Sequence, residues 1–437
     1  PKGRHLHKTR LTRLANALRP PAGAIDKALS VIWQPVRTQL LTALGLAPLA
    51  AACFGEWSLI GVVGNLVALP LITLVLTPLC MLGLLVPALW SLLPWVVDPL
   101  RGLMAWLVAW PGAVLSVPGS SMPMLALALF GAALALMNLP LRLRASGLAL
   151  MVPLLWPPPR VPSSGQFEAW ALDVGQGTAV LVRTRRHALL LDAGPAWGEG
   201  RDAGERVVLP VLRHLGVRQL DELVVTHRDL DHVGGAASVL KGLPVAQLRS
   251  SLEASHPLLK FPAPHVPCRR GQAWKWDGVR LEVLHPFGDE GAKAKPNTIS
   301  CVLRVEDSQG RSLLLTGDIE RDQEAALVRA SEGASSMPLQ SEGLIAPHHG
   351  SRTSSTEPFL RAVQPAWALA QSGYRNRYGH PAQAVVARYA ELGIPLLSSP
   401  WCGALLWKSG TEPQCWRQVQ PRHWHDQPGE ASPTPSR

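Results

Sequence analysis

Charged residues are scarce in this sequence, and two long stretches of its first half lack them entirely. Only 17% of the 437 residues are charged, whereas about a quarter is usual in soluble domains. No charged residue lies between Trp57 and Val97, or between Gly102 and Leu141. Uncharged stretches of this length exclude the core helices of a soluble protein and predict several membrane spans. Charged residues are frequent after Arg160, so we expect the two halves to face different solvents.

The six cysteines form no CxxC pair, which excludes a zinc ribbon or a thioredoxin-type motif. Cys53 and Cys80 lie in apolar runs, where we interpret them as small core residues. Cys402 and Cys415 flank a predicted hairpin and could form a disulfide if this region lies outside the cytoplasm. The sequence also shows no signal peptide at Pro1, and we expect it to be the C-terminal portion of a longer protein.

The net charge of +11 has two interpretations. Basic residues near the N-terminus are typical of membrane proteins, whose cytoplasmic segments are rich in Lys and Arg. A basic chain also suits a polyanionic substrate, because neutralised phosphates release their counterions. We favour the first interpretation for the basic N-terminal segment, residues 1–37, and keep the second open for the C-terminal half.

Residues 38–157 are predicted to form a polytopic α-helical membrane region. A span needs about 20 apolar residues, and the prolines in the second run indicate either ordinary kinks or broken helices around a pore. The orientation of the spans stays open. A proline-rich linker, 158–166, follows. The candidate spans are Gln39–Phe54, Ser58–Leu76, Leu79–Val97, Leu103–Val117, Met122–Asn138 and Ala145–Trp156.

Residues 167–420 alternate short β-rich runs with helical ones, a pattern typical of layered α/β domains. The tail 421–437 is polar and Pro-rich, so it is predicted to be disordered. The predicted helices are Glu205–Leu215, Asp231–Leu240 and Pro381–Leu392. The predicted strands are Ala169–Val174, Thr178–Arg183, Ala188–Asp192, Glu222–Thr226, Val279–Leu284, Ser300–Val305, Ser312–Thr316, Gly343–Ala346 and Trp367–Ala370.

Residues that can bind a metal gather at the ends of three predicted strands. The first strand runs into His227-Arg-Asp-Leu-Asp-His232, where two His and two Asp within six positions are hard to explain structurally. Asp318 ends the second strand, and His348 and His349 end the third. Because the carboxyl ends of parallel strands form the usual site edge of a layered α/β domain, we predict that the three segments converge on metal.

These motifs, taken together, resemble the ComEC/Rec2 family of competence proteins. THRDLDHVGG is similar to the HxHxDH signature of the metallo-β-lactamase fold. The segment FGEWSLIGVVGNLVALPLITLVLTPL, Phe54–Leu79, resembles the family's competence region. The other motifs, in order, are LDVGQG (Leu172–Gly177), LLLDAG (Leu189–Gly194), PNTISCVL (Pro296–Leu303), LLTGDIE (Leu314–Glu320), APHHGS (Ala346–Ser351) and YGHP (Tyr378–Pro381).

The resemblance implies an αββα metallo-β-lactamase fold and a role in DNA uptake. A membrane channel for single-stranded DNA would be fused to a hydrolase that degrades the strand not imported. The implied partners are DNA, the membrane and other proteins of the uptake machinery. We expect the protein to lie in the inner (plasma) membrane, with the hydrolase domain on its extracytoplasmic side.

Two residues differ from the motifs. Asp229 replaces the second His of HxHxDH, as is usual in this family. Thr178 replaces an acidic residue after GQG, which puts activity in question.

Phosphodiester hydrolysis is well served by two divalent cations, and the motifs supply ligands for them. Asp318 is the expected bridging carboxylate, and His349 is preferred over His348 as the last ligand. The carboxylate of Asp229 shifts the preference from Zn²⁺ towards Mn²⁺ or Mg²⁺; we predict two divalent ions, with Mn²⁺ first and Zn²⁺ or Mg²⁺ as alternatives. Asp231 and His380 are predicted to be catalytic, with contact to substrate or a place in the core as the alternatives for His380. The predicted metal ligands are His227, Asp229, Asp231, His232, Asp318, His349 and His348.

The remaining candidates are open to structural explanations. Asn297, Ser300 and Ser351 are predicted to bind substrate, although a plain turn explains the first two equally well. His285 is either a further ligand or part of a turn with Pro286. Asp192 is expected to brace the ligand loop. Arg352, Arg375 and Arg377 could guide a phosphate backbone. Two other functions stay open: a domain that only grips or gates DNA, and a hydrolase of another ester.

Overall fold

The computed structural model describes residues 24–58, 60–110, 112–119, 121–155, 161–198, 200–288, 294–332, 339–422 and 425. Most of the basic segment 1–37, the linker residues 158–160 and most of the tail 421–437 lie outside the described residues. The chain divides into two compact units, Pro1–Pro158 and Pro159–Arg437.

The described part of the first unit is almost entirely helical, with one short antiparallel strand pair, Glu56–Ser58 and Val114–Ser116. Its α-helices are Ala24–Phe54, Gly61–Leu71, Thr77–Leu85, Leu93–Val108, Met122–Leu136 and Leu141–Leu155, with a π-helical segment Ile72–Leu76 and a 3₁₀ segment Pro87–Leu92.

Two helical stretches of the first unit are long and apolar enough to cross a membrane. They are Trp33–Phe54 and Gly61–Leu85, and Met122–Leu136 is a shorter apolar helix. Their apolar side chains largely point outwards; Leu74 is 74% exposed and Leu85 is 80% exposed. Exposed apolar surface of this extent marks contact with lipid or protein rather than water.

The helix boundaries differ from the predicted spans in two places. The chain stays helical through Pro70 and Pro78, because the π-helical turn Ile72–Leu76 lies between them and absorbs the lost hydrogen bonds. The predicted span Leu79–Val97 is therefore divided, since its first part completes the helix before it. Leu103–Val117 is not one helix either, because the helix ends at Val108 and a strand follows.

The last two helices of the first unit approach each other closely at two glycines. A Cβ atom added at Gly131 would collide with the carbonyl of Gly147, and one added at Gly147 would collide with the carbonyl of Gly131. Small residues at such positions allow the backbones of helices in lipid to come together.

The second unit contains two mixed β-sheets. The first has eight strands, in the order His265–Pro267, Leu248–Ser250, Glu222–Val225, Ala188–Leu191, Val180–Arg183, Glu168–Ala171, Leu405–Lys408 and Gln414–Cys415. The second has seven, in the order Ala273–Trp276, Val279–His285, Val302–Glu306, Ser312–Leu315, Gly343–Ile345, Trp367–Ala370 and Leu396–Ser398. A two-stranded hairpin pairs Ala196–Gly198 with Arg201–Asp202.

Three buried clusters show that these elements form four layers. One cluster joins apolar side chains of both sheets, such as Val180 and Leu313. A second joins the first sheet to helices through Leu190 and Leu212, and a third joins the second sheet to helices. The order helix, sheet, sheet, helix is the predicted αββα sandwich. The α-helices are Leu209–His214, Leu230–Val233, Ala236–Gly242, Arg321–Ser331, Glu357–Val363, Gln383–Glu391, Ser399–Cys402 and Trp416–Val419, with a π-helical segment Gly204–Val208 and 3₁₀ segments Pro257–Lys260, Pro296–Ile299 and Pro347–Gly350.

The cysteines of the second unit are paired and those of the first are not. Disulfides join Cys402 to Cys415 and Cys268 to Cys301; the sequence suggested only the first of these pairs. Cys53 and Cys80 are free and exposed, so their interpretation as core residues is wrong.

Parallel strand pairs bring the candidate site residues to one edge of each sheet. Ala188–Leu191 runs parallel to Glu222–Val225 in the first sheet, and Ser312–Leu315 runs parallel to Gly343–Ile345 in the second. The residues that follow each of these four strands include predicted ligands or their supports.

Candidate metal centre

The turn after strand Glu222–Val225 carries four of the predicted ligands. His227 and His232 are fully buried, whereas Asp229 is half exposed. The Nε2 atom of His227 lies 3.7 Å from Oδ2 of Asp229. Asp231 and His232 follow in the first turn of the helix Leu230–Val233, so the strand-to-helix turn points all four side chains towards the same region.

Asp231, His232, Asp318 and His349 form the centre of the site. Each offers one ligand atom, and these atoms all lie within 4.8 Å of one another. His232 Nε2 is 3.0 Å from Asp318 Oδ1 and 3.3 Å from His349 Nε2. His349 Nε2 is in turn 3.2 Å from Asp231 Oδ2. Two imidazoles and two carboxylates at this spacing are a suitable donor set for a divalent cation.

The other three predicted ligands flank this group. The rings of His227 and His232 have centroids 4.2 Å apart, and Asp229 lies beside His227. On the opposite side His348 Nε2 is 3.7 Å from Asp318 Oδ2, while its Nδ1 is 3.3 Å from Glu320 Oε1. The structure therefore brings all seven side chains to one place, with Asp318 between the flanking histidine His348 and the central His232.

A buried carboxylate orients His232. Asp192 Oδ2 lies 2.7 Å from His232 Nδ1 and also accepts from the Thr226 hydroxyl, while Oδ1 accepts from the Thr226 N–H. Asp192 has φ 56°, a left-handed conformation that Asp tolerates better than most residues. A carboxylate on one imidazole nitrogen leaves the other nitrogen, Nε2, available to bind a metal.

Hydrogen bonds orient the ring of His227 as well. Its Nδ1 lies 3.0 Å from the hydroxyl of Thr226 and 3.2 Å from that of Ser300. Because the Thr226 hydroxyl donates its hydrogen to Asp192, it accepts from Nδ1 of His227. The Nε2 atom then carries a lone pair, and it is buried without a hydrogen-bond partner among the described residues. A buried acceptor of this kind is costly unless something binds it, so the residues fit a bound cation.

The turn that carries His348 and His349 is strained. Three successive residues have left-handed φ angles: 48° at His348, 55° at His349 and 80° at Gly350. A Cβ atom at Gly350 would be pressed against Pro381. Non-glycine residues in this conformation are held by their surroundings and occur preferentially at functional sites.

The electrostatics of the centre favour ionised carboxylates. Burial raises the pKa of Asp231, but a hydrogen bond to His349 and the charges of His232 and His349 outweigh it, lowering the pKa to about 2. Burial opposes ionisation of Asp318 as well, yet the charges of His232 and His349 hold its pKa well below the usual value. Burial instead lowers the pKa of His227 to about 4, which keeps that ring neutral and able to bind metal.

His380 lies next to the centre. Its ring centroid is 5.7 Å from that of His348 and 6.3 Å from that of His349. Burial, with the charges of His349 and His348, lowers its pKa to about 4. The predicted catalytic histidine is therefore adjacent to both histidines of the APHHGS turn and neutral at pH 7.

The three predicted substrate-binding residues are placed differently. Ser300 is fully buried, and its hydroxyl contacts His227 and accepts from the Asp318 N–H. This placement differs from the predicted contact with substrate, because the hydroxyl is bonded to two predicted ligands, His227 and Asp318. Ser351 is also buried and bonded to Thr353. Asn297 lies in the 3₁₀ turn Pro296–Ile299, half buried, and its carbonyl accepts from Ser300.

Two further predictions concern supporting residues. The imidazole Nδ1 of His285 lies 2.7 Å from the carbonyl of Ser300, a contact typical of a structural histidine. Thr178, which replaces the family's acidic residue, donates its N–H to the carbonyl of Asp231. A Cβ atom at Gly177 would collide with that same carbonyl. The GQG turn thus packs against the backbone of the ligand loop, a contact that needs no acidic side chain.

Several supporting residues were not found from the sequence. Thr226 bonds Asp192 and His227, Glu320 contacts His348, and buried Glu324 accepts from the N–H groups of Ser355 and Thr356. Thr226 and Glu320 each lie within two residues of a ligand, which is the signal that could have identified them. Glu324 gave none, because its partners lie about 30 residues later in the chain.

Family profiles match both units. Residues 172–366 match the metallo-beta-lactamase superfamily, and residues 10–144 match the family described as competence protein. The first match covers all seven side chains of the centre and the second covers most of the helical unit.

Individual relatives agree with the two profiles. The chain is 35% identical to the competence protein ComA of Neisseria gonorrhoeae over 90% of its own length and 55% of the relative. It is 32% identical to recombination protein 2 of Haemophilus influenzae over 52% of its length and 27% of the relative. The ComE operon protein 3 of Bacillus subtilis is 29% identical over 56% of this chain and 33% of the relative.

The chain spans about half the length, or less, of these curated relatives. Its two matched regions follow the order of the motifs found in the sequence, a competence region and then a metallo-β-lactamase domain. The chain therefore combines a region of the competence protein family with a domain of the metallo-beta-lactamase superfamily, the combination that its resemblance to ComEC/Rec2 proteins predicts.

Proposed function

We propose that this protein takes part in DNA uptake as a membrane channel for single-stranded DNA joined to a metal-dependent deoxyribonuclease. The nuclease degrades the strand that is not imported. The proposal is supported chiefly by the convergence of His227, His232, Asp231, Asp318 and His349 at the carboxyl ends of strands from two sheets.

The donor set suggests how cations are held. Asp231, His232, Asp318 and His349 would hold one cation, and the flanking side chains of His227, Asp229 and His348 would supply ligands for a second. Asp318, which lies near both His232 and His348, would be the carboxylate shared between the two cations. The carboxylates favour Mn²⁺, with Zn²⁺ and Mg²⁺ as alternatives. When bound, such cations neutralise charge on phosphoryl oxygens and make water more acidic.

The chain's own side chains supply orientation and proton handling. Asp192 and Thr226 hold the two buried imidazoles in a fixed tautomer, and Asp231 stays ionised over the working pH range of most enzymes. His380 is neutral at pH 7, so we assign it a hydrogen bond to the substrate rather than proton donation as an imidazolium.

The membrane unit and the disulfides support the remaining parts of the proposal. The uncharged helices are proposed to form a polytopic region of the inner membrane together with other uptake proteins. Cys268–Cys301 and Cys402–Cys415 are both in the second unit, and disulfides persist in oxidising compartments. We therefore place the hydrolase domain on the extracytoplasmic side.

The decisive experiment compares the wild-type chain with Asp231→Ala. The full chain, in lipid nanodiscs with Mn²⁺, is incubated with labelled single-stranded and double-stranded DNA. We expect wild-type cleavage and a loss of at least about 100-fold in the variant, since it lacks a ligand. Arg361→Ala changes an exposed arginine paired with Glu357 and serves as the control. Elemental analysis of each sample reports the metal content.

Two results would change the assignment. If neither protein cleaves DNA although both bind it, the domain grips or gates the strand. If neither binds DNA but the wild type hydrolyses carboxylic or sulfate esters, the chain is a hydrolase of another ester.

A further inference from the structure

Two of the chain's three tyrosines lie four residues apart in one exposed loop. Tyr374 and Tyr378 belong to the segment 371–382 that follows strand Trp367–Ala370, and they are 48% and 55% exposed. Tyr389, in contrast, is fully buried. Large aromatic rings left in solvent beside a candidate active site indicate a binding surface more often than a packing role.

A series of rings, each in contact with the next, connects this loop to the candidate metal centre. The His380 ring lies 27° from parallel to that of His349, with centroids 6.3 Å apart. On the other side the Tyr378 ring lies 26° from parallel to that of His380, at 5.7 Å. These near-parallel rings lead from a buried ligand to the surface, and Tyr374 extends the aromatic area by contacting the half-exposed Trp401.

An arginine guanidinium group lies over the ring of each of these two tyrosines. Arg377 lies 4.9 Å from the centroid of Tyr378 and donates a 2.7 Å hydrogen bond to its hydroxyl. Arg375 lies 5.1 Å from the centroid of Tyr374. Within the part of the chain that the structure describes, neither guanidinium is paired with a carboxylate, so both can bind phosphate. The arrangement repeats the same unit, a guanidinium group over an aromatic ring, twice in five residues.

The loop is held in shape before any ligand arrives. The Asn376 side-chain amide donates to the carbonyls of Gly373 and His380, and its oxygen accepts from the N–H groups of Tyr378 and His380. The Gln176 side chain of the GQG turn accepts from the N–H of Gly373. A binding surface that is already ordered loses little entropy when it binds.

We propose that Tyr378 and Tyr374, with Arg377 and Arg375, form a stacking platform for unpaired DNA bases at the entrance to the metal centre. Bases stack on the exposed parts of the rings and on the guanidinium planes above them, while the guanidinium N–H groups bind the adjoining phosphates. The bases of a duplex stack on each other and have no free faces, so the platform selects single strands. This inference rests on the proposed nuclease function, because it names the form of DNA that the site takes.

The test measures binding without catalysis. The full chain in nanodiscs is titrated with a fluorescein-labelled single-stranded 20-mer in EDTA, and fluorescence anisotropy reports Kd. Tyr378→Leu should raise Kd about tenfold, whereas Tyr378→Phe, which keeps the ring, should stay within about threefold. Metal uptake by Tyr378→Leu, measured after removal of EDTA and DNA, should equal that of the wild type if the variant is folded.

An abasic 20-mer separates stacking from other effects. Without bases there is nothing to stack, so wild type and Tyr378→Leu should bind it equally, and a blunt duplex should also be unaffected by the change. Arg377→Ala should reduce the slope of log K against log salt by about one, whereas the exposed control Arg361→Ala should not. Equal weakening of normal and abasic strands by Tyr378→Leu, or no weakening of either, would overturn the platform.

The two proposals fail separately. A chain that cuts no DNA but shows the base-dependent effect of Tyr378→Leu keeps the platform and loses the nuclease. A chain that cuts single strands with the same KM and kcat in wild type and Tyr378→Leu keeps the nuclease and loses the platform.

Discussion

The two units of this chain treat polar and apolar groups in opposite ways. The first unit leaves large apolar side chains exposed, among them Leu74, Leu85 and Trp95. The second unit buries polar side chains that most proteins leave in water, including Asp192, His227 and Asp318. Apolar exposure is favourable only where the surroundings are themselves apolar, and polar burial only where each group finds a partner.

This contrast explains where function is found. In the first unit the tight contact between Gly131 and Gly147 depends on shape alone, since lipid gives no hydrophobic force between helices. In the second unit the metal centre is built from buried polar groups whose partners are fixed. A change to one unit is therefore expected to alter that unit and to leave the properties of the other as they were.

The largest effect is expected at the disulfides. Loss of the Cys268–Cys301 bridge frees a loop of 33 residues, and Cys402–Cys415 one of 13. The loop-entropy relation gives about 4 and about 3 kcal/mol for the two losses. Cys268→Ser should therefore lower the free energy of unfolding of the second unit by more than Cys402→Ser. Denaturant unfolding, monitored separately for each unit, measures the free energy of unfolding of both variants.

The unpaired cysteines of the first unit provide the control. Cys53→Ser should leave both transitions unchanged, because Cys53 is free and exposed. Denatured but unreduced protein should expose two thiols to an alkylating reagent. Six reactive thiols would contradict the pairing.

The next effect is expected at the close helix contact in the first unit. Gly147→Leu places a side chain against the backbone of Gly131 and the helix Met122–Leu136, and overpacking of this kind costs about 1–3 kcal/mol. Resistance of the first unit to proteolysis in nanodiscs should fall, while metal binding by the second unit should not. Gly102→Leu is the matched control, because a Cβ atom at Gly102 meets nothing within 4 Å. A loss of metal binding in Gly147→Leu would show that the units are coupled.

A third, comparable effect is expected at Asp192. In the wild type, Oδ2 of Asp192 accepts from the Thr226 hydroxyl and lies against His232 Nδ1. In Asp192→Asn an amide NH₂ group replaces one carboxylate oxygen and cannot accept hydrogen bonds. His232 should lose its orientation, and metal affinity should fall about 10- to 100-fold. Competition with a chromogenic chelator measures that affinity. Glu357→Gln, at an exposed ion pair, should leave it unchanged, and so should any change confined to the first unit.

Much of the fold of the second unit could be predicted because its strands are short apolar runs that end in turns. The strand Trp367–Ala370 matches its predicted bounds, and most others differ by one to three residues. The strands His265–Pro267 and Ala273–Trp276 were missed because they lie at sheet edges and alternate with polar residues. The helix Arg321–Ser331 was missed because it is mostly polar and is set by its capping box at Glu320.

The candidate site divides along a similar line. The cluster of candidate ligands could be predicted because His and Asp residues gather at strand ends, where few structural roles explain them. Ser300 was predicted to bind substrate, because a sequence does not show that its hydroxyl lies beside the ring of His227. The platform at Tyr378 also depends on ring angles that only the folded loop defines. In the first unit, the continuation of a helix through Pro70 and Pro78 depends on a π-helical turn that hydropathy does not register.

The smallest effect is expected at Asp277, a buried carboxylate far in sequence from its partners. Its oxygens accept from the Thr184 hydroxyl and from the N–H and Nε of Arg186. Burial alone raises the pKa of Asp277, but these hydrogen bonds outweigh it and hold the pKa well below 3.8. A lowered pKa stabilises the fold at pH values above the unfolded value near 4, and the contribution is lost as pH falls through the folded value.

Asp277→Asn should therefore lower the free energy of unfolding by about 1–2 kcal/mol at pH 7, and the gap to wild type should narrow below pH 4. Unfolding curves of the second unit between pH 3 and pH 7 test this. Asp98→Asn, at an exposed pair with Arg101 in the first unit, should show no gap at any pH. A gap of constant size would mean that Asp277 acts by packing, and the buried carboxylate would then no longer illustrate how the second unit stabilises its polar groups.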